Sequence, residues 1–125
     1  MPSTLYGAAA EFLRSRYKGE LSEDELSASI GTGVSTVVES NPDRLGLLVL
    51  NLSANTVFVG IDNTVSLTNG IRLGANGGSV AFNVTDDGMI QTRTIYGIAD
   101  GAASTVYVLS LSRFIADRQL PDGET

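Results

Sequence analysis

The spacing of apolar residues changes once along the chain, near residue 31. Before that point Leu5, Ala9, Phe12 and Leu13, continued by Arg16 or Tyr17, recur at three- and four-residue intervals. One apolar stripe at that period predicts an amphipathic helix over residues 3–18. Gly19 ends it, because a residue without Cβ enters the left-handed conformation of a helix C-terminus without steric cost. Ser22 and Glu25 then stand at capping-box spacing: the Ser22 hydroxyl can accept from a backbone N–H while the Glu25 carboxylate accepts from that of Ser22. A short helical turn is expected there, and residues 1–30 read together as an N-terminal helical arm.

From Gly31 onward, short runs of Val, Leu, Ile and Thr are cut by Gly, Asn and Asp. Strands are predicted near 33–39, 45–53, 56–61, 70–73, 78–85, 93–99 and 104–113, with turns at Asn41-Pro42-Asp43, Ser53-Ala54-Asn55, Asp62-Asn63, Ala75-Asn76-Gly77-Gly78, Asp86-Asp87-Gly88 and Asp100-Gly101. Parallel strands would need a helix between them, and no such segment is present. About seven strands with short turns instead predict a mainly β fold, an antiparallel β-sandwich or jelly-roll-like domain over residues 31–115, preceded by the N-terminal α-helix. Residues 116–125, polar and interrupted by Pro121 and Gly123, read as a flexible tail.

Two strands differ in their faces. In residues 79–85, larger apolar residues alternate with small or polar ones, as suits a half-buried strand. Residues 45–52 are apolar at nearly every position, so both pleat faces offer Leu or Val. One of those faces needs a second cover, supplied either by the N-terminal helix or by a neighbouring subunit. The candidate interface is therefore Leu45, Leu47, Leu48, Leu50 and Leu52 on the strand, with Leu5, Phe12 and Leu13 on the helix.

Composition removes most other functions. At 125 residues the chain has room for one domain with one core. It holds no cysteine and no histidine, which takes away disulfides, thiolate nucleophiles, the commonest general base and the commonest transition-metal ligand. Lys18 is the sole lysine and stands among solvated charges at a predicted helix end. Asp62, Asp86, Asp87 and Asp100 fall in predicted turns beside Gly, Asn or a second Asp, where a carboxylate serves nearby backbone N–H groups. Asn83 with Asp86 and Asp87 offers hard oxygens, but the spacing is not that of a calcium loop. Tyr96 and Tyr107 lie inside apolar strands and there is no tryptophan, a poor basis for a sugar platform. A net charge of -6 opposes a phosphate-tracking surface. No apolar run approaches the roughly 20 residues of a membrane span, and the N-terminus lacks a basic-then-apolar leader pattern. The expectation is a soluble chain that is no enzyme, needs no cofactor or metal, and binds neither nucleic acid nor membrane.

A resemblance sharpens this. The stretch Asn41-Pro42-Asp43-Arg44-Leu45-Gly46-Leu47-Leu48-Val49-Leu50-Asn51-Leu52-Ser53, followed by Val57-Phe58-Val59-Gly60, Asn69-Gly70-Ile71-Arg72-Leu73, Gly77-Gly78-Ser79-Val80 and Ala103-Ser104-Thr105-Val106-Tyr107-Val108-Leu109, resembles small structural proteins of tailed bacteriophages. It covers residues 40–112 and consists of scaffold features. The resemblance implies a virion protein assembled in the host cytoplasm, a decoration or cement subunit of the capsid, with a head-to-tail connector or tail component as the alternative. It further implies a homo-oligomer, a trimer first, with other virion proteins such as the major capsid protein as partners. A carbohydrate- or receptor-binding β module is the reading outside that family.

Overall fold

A computed structural model describes residues 20–114, with side chains from 21 to 113. Eight strands follow one another: β1 (Glu20–Ile30), β2 (Ser35–Val38), β3 (Arg44–Asn51), β4 (Val57–Gly60), β5 (Ile71–Leu73), β6 (Ser79–Asn83), β7 (Ile95–Ala99) and β8 (Ser104–Phe114). They form two four-stranded antiparallel sheets, a first in the order β1-β8-β3-β6 and a second in the order β2-β7-β4-β5. The pairing is nested: β4 with β5, β3 with β6, β2 with β7 and β1 with β8. The chain therefore runs as one long hairpin, closed at the β4–β5 turn and wound so that successive pairs fall in alternate sheets. The β3–β8 and β4–β7 ladders complete each sheet.

Branched residues at every second position explain where the core lies. In β4, Val57 and Val59 point inward; in β7, Ile95 and Ala99 do. They meet Val49, Val106 and Val108 of the first sheet, all five valines being at most 1% exposed. Branched side chains lose little rotamer freedom on a pleated surface, which favours this choice. Gly97 also faces inward, and a Cβ there would come within 2.7 Å of a Val37 methyl, so the close approach of β2 over β7 requires glycine.

All seven predicted strands form, with ends shifted by one to a few residues. The strand expected to reach residue 85 stops at Asn83, whose side chain caps a helical turn, Val84–Asp87. The eighth strand is a correction. Residues 20–30, read as the end of a helical arm with a capping box at Ser22, form β1, paired residue by residue with β8 from Glu20–Phe114 to Ile30–Ser104. Leu26, Ala28 and Ile30 alternate at strand period and lie on the inner side, with Ile30 in the core. A cap stabilises a helix end by about 1 kcal/mol, far less than a full ladder along β8. Residues 20–30 thus belong to the first sheet rather than to a helical arm. The predicted helix over 3–18 and the tail over 116–125 lie outside the described residues.

Two buried polar side chains fasten the ends of β3. Arg44 is 4% exposed; its Nε donates to Ser110 Oγ at 2.9 Å, Nη1 to the Gln91 carbonyl at 3.0 Å, and Nη2 to the Glu39 carbonyl at 2.8 Å. Burial among neutral acceptors lowers its pKa below the ordinary arginine value. At the other end Asn51 donates from Nδ2 to the carbonyls of Asn55, Leu73 and Gly74, while its Oδ1 accepts from the Ser53 N–H and hydroxyl. One asparagine therefore ties β3 to the chain before β4 and to the end of β5.

Candidate interface

Along β3 the pleat sends Leu47, Val49 and Asn51 inward and Gly46, Leu48 and Leu50 outward. Along β8, Val106 and Val108 point inward with Ser104, Ser110 and Ser112, while Tyr107, Leu109 and Leu111 point outward. Register brings the outward residues together: Leu48 stands opposite Leu109, Leu50 opposite Tyr107, and Gly46 opposite Leu111. The result is a half-buried strip of four leucines and a tyrosine on the outer face of the first sheet. On one flank β1 sets Glu25 opposite Leu109 and Glu23 opposite Leu111. On the other flank β6 sets Ala81 opposite Leu48 and Ser79 opposite Leu50. Partial burial, then the charge of Glu25 and the hydrogen bond between the two side chains, raises the pKa of the Tyr107 hydroxyl.

The leucines proposed from sequence separate. Leu48 and Leu50 sit in the strip. Leu47 does not: at 3% exposure it belongs to the core, because inward and outward positions alternate and Leu47 shares the parity of Val49. Leu45 is half-buried where the β3–β8 register shifts between Arg44 and Gly46. Leu52 lies past the end of β3 and is 53% exposed. Leu5, Phe12 and Leu13 lie outside the described residues. Sequence reasoning missed Leu109 and Leu111, although residues 105–111 carry the same signal as β3, apolar side chains on both pleat faces.

The second sheet has a smaller apolar outer patch, in which Phe58 pairs with Ile98 and Arg72, and Thr36 with Tyr96. Tyr96 and Tyr107 therefore stand on the outer faces of different sheets and cannot share one stacking platform. Between the β1 and β2 edges runs an open groove of about 670 Å³ lined by Leu26, Ala28, Val37, Val38 and Arg44 among others. At the opposite edge an apolar slot of about 240 Å³ is walled by Val59, Ile61, Ile71, Phe82, Ile90 and Ile95 with two glycines.

The turn carboxylates are occupied with backbone. Asp62 Oδ1 accepts from the Thr64 N–H at 3.2 Å and Asp100 Oδ1 from the Thr56 N–H at 3.0 Å. Asp87 Oδ2 accepts from the Asn83 N–H at 2.9 Å, and the Asp86 N–H donates back to Asn83 Oδ1 at 2.9 Å. These contacts close turns and cap the Val84–Asp87 helix. Among the described residues no three acids converge on one point, and no helix is long and apolar enough to cross a membrane.

No family model matches the chain, and no curated protein matches it. Among solved structures the chain is similar to one of Bacillus endospore appendages, described as a novel family of disulfide-linked pili. The two are 13% identical with a TM-score of 0.44, over 76% of this chain and 88% of that one.

Proposed function

We propose that this chain is a non-enzymatic structural subunit that works by packing against copies of itself and a larger assembly, as a decoration or cement subunit of a tailed-phage capsid. The observation that carries the first part is the outer strip of Leu48, Leu50, Leu109, Leu111 and Tyr107. An apolar sheet face of this kind needs cover, which a contact surface supplies. The nested order of eight strands in two sheets also supports a jelly-roll winding, an architecture that recurs in viral capsid domains. The virion setting itself is supported by the resemblance of residues 40–112 to small phage structural proteins.

In that role the energetics are those of linked binding. A subunit that binds only the assembled lattice stabilises it by mass action, and a self-associated subunit adds avidity without tighter individual contacts. Two measurements test this reading. Sedimentation of the purified protein is expected to show one defined homo-oligomer, a trimer first. Mixing with undecorated capsids, and separately with tails, is expected to leave the protein on the capsids and raise their heat resistance. A monomer that neither particle retains would end the proposal; retention by tails alone would move the subunit to the tail.

A further inference from the structure

The two sides of the sandwich, where the sheets end, differ in charge and in shape. On one side the edge strands are β1 and β2, and on the other they are β5 and β6. Among the described residues nothing pairs with the free edge of β1 or of β6. Residues 20–40, which form the first side, hold five acids and neither lysine nor arginine. Residues 71–83, which form the second, hold Arg72 and no acid. The first side is an open groove with Leu26 exposed on it, and the second carries the apolar slot with Ile71 exposed at its wall. We infer that a second copy of this chain adds its β6 to the free edge of β1, so that the first sheet runs on from copy to copy.

Strand direction, register and charge favour this pairing. β1 and β6 stand three antiparallel steps apart and so run in opposite directions. A copy set alongside in the same orientation therefore presents its β6 antiparallel to β1, the pairing the rest of the sheet already uses. Ladder rows cross the whole sheet: Glu25, Leu109, Leu48 and Ala81 share one, and Leu26, Val108, Val49 and Val80 the next. Continued without a shift, these rows set Ser79–Asn83 of the second copy against residues 23–27, the run of β1 in which every residue is exposed. Neither run contains proline, so each backbone N–H is free to enter a ladder. On the inner side Leu26 meets Val80 directly and Phe82, a wall of the apolar slot, on the diagonal. Pairing of β1 with a second β1 would gather the acids of both copies in one ladder, where like charges repel, whereas β6 brings none. Asp86 and Asp87 lie past Asn83, in the helical turn that leaves the ladder. The inference rests on the self-association proposed above and names the surface that carries it. A trimer needs such a contact between two different surfaces, since a self-complementary one stops at the dimer. Every copy then turns its leucine strip the same way, open to the larger assembly.

The cysteine-free sequence makes a direct test possible. In the full chain, Glu25→Cys together with Ala81→Cys places one thiol on each edge of the first sheet. Within one chain the two stand about 14 Å apart, three strand spacings, too far for a disulfide to bridge, so every link joins two chains. Mild oxidation of the pair is expected to give covalent products of three chains or more, while each single variant stays unlinked. Products that stop at the dimer, or a single variant that links as fast as the pair, would show a twofold contact and overturn the inference. A pair that stays unlinked while sedimentation shows an oligomer also overturns it and leaves self-association standing. A chain that sediments as a monomer ends both. Ala81→Glu supplies a readout without any link, and because Ala81 is exposed the strand signature in circular dichroism is expected to be kept. A carboxylate opposite Glu25 is expected to weaken association on the order of tenfold, and Glu25→Lys in the same chain to restore it. Association that Ala81→Glu leaves unchanged, or that Glu25→Lys does not restore, overturns the inference as well.

Discussion

On the inner face of the first sheet, β3 and β8 present Leu47, Val49, Val106 and Val108, with Asn51 and three serines toward the ends. On the outer face the same two strands present Leu48, Leu50, Leu109, Leu111 and Tyr107. The larger apolar side chains are thus outside. In an antiparallel sheet with one face in water the reverse is expected, polar residues outward and large apolar ones inward. The difference teaches that the inner face is sized for close approach of the second sheet, while the outer face carries its larger apolar side chains half-buried at the surface.

The strongest way to break that comparison is to place one charge on each side of β8. Val108→Asp would put a carboxylate with no partner among Val49, Val57 and other core residues. A buried unpaired charge of this kind costs several kcal/mol, comparable to the whole stability of a small domain. No cooperative unfolding transition is expected. Leu109→Asp, one residue away on the outer face, is expected to keep the strand signature in circular dichroism. Equal damage from both would mean that the two faces are buried alike.

A smaller effect sharpens the inner side. Arg44→Met removes three hydrogen bonds and leaves the Ser110 hydroxyl and the Glu39 and Gln91 carbonyls short of a donor. Each unmet buried group costs about 1–3 kcal/mol, offset in part by no longer desolvating a guanidinium. A net loss of about 2 kcal/mol, read as a lower urea midpoint, is expected. An unchanged midpoint would mean that the guanidinium is solvated rather than fastened.

These residues also show what a sequence displays and what it hides. The seven strands from residue 35 onward are legible because Gly, Asn and Asp punctuate runs of branched residues, and each turn chemistry acts locally. β1 is hidden because its outward side carries Glu23 and Glu25, and Ser22 with Glu25 mimics a helix start. Its strand character comes from β8, some eighty positions away in the chain. The apolar excess of residues 45–52 is visible, but which leucine faces inward is not, since a register shift at Leu45 resets the alternation. Burial of Arg44 is likewise out of reach: its acceptors come from residues 39, 91 and 110, and the local Asn-Pro-Asp-Arg string reads as an exposed turn.

Leu48→Ala sharpens the outer side. A fully buried leucine loses about 2 kcal/mol or more on truncation, whereas one facing water loses a few tenths. The half-buried position of Leu48, opposite Leu109, predicts a loss of about 1 kcal/mol in the full chain. With Leu109→Ala already present, the same truncation is expected to cost less than half as much, since facing residues couple. Additive losses would mean that Leu48 and Leu109 do not pack on one another.

The smallest effect belongs to Tyr107, and its sign follows from its neighbours. Partial burial disfavours the phenolate, Glu25 repels it, and the hydroxyl loses its hydrogen bond to that carboxylate when it ionises, so the folded-state pKa lies above the ordinary 10.0. The folded chain therefore holds this proton more tightly than the unfolded one. The stability that this confers is complete below pH 10 and is lost as pH rises through the raised value. Tyr107→Phe has no such proton to lose. The stability difference between the native chain and this variant is thus expected to be constant from neutral pH to about 9 and to shrink above 10, with other titrating groups cancelling between the two. Glu25→Gln removes the charge but not the burial, and so leaves part of the shift in place when tyrosinate absorbance is followed. A difference that stays flat through the alkaline range would mean that neither burial nor Glu25 holds the Tyr107 proton in the folded chain.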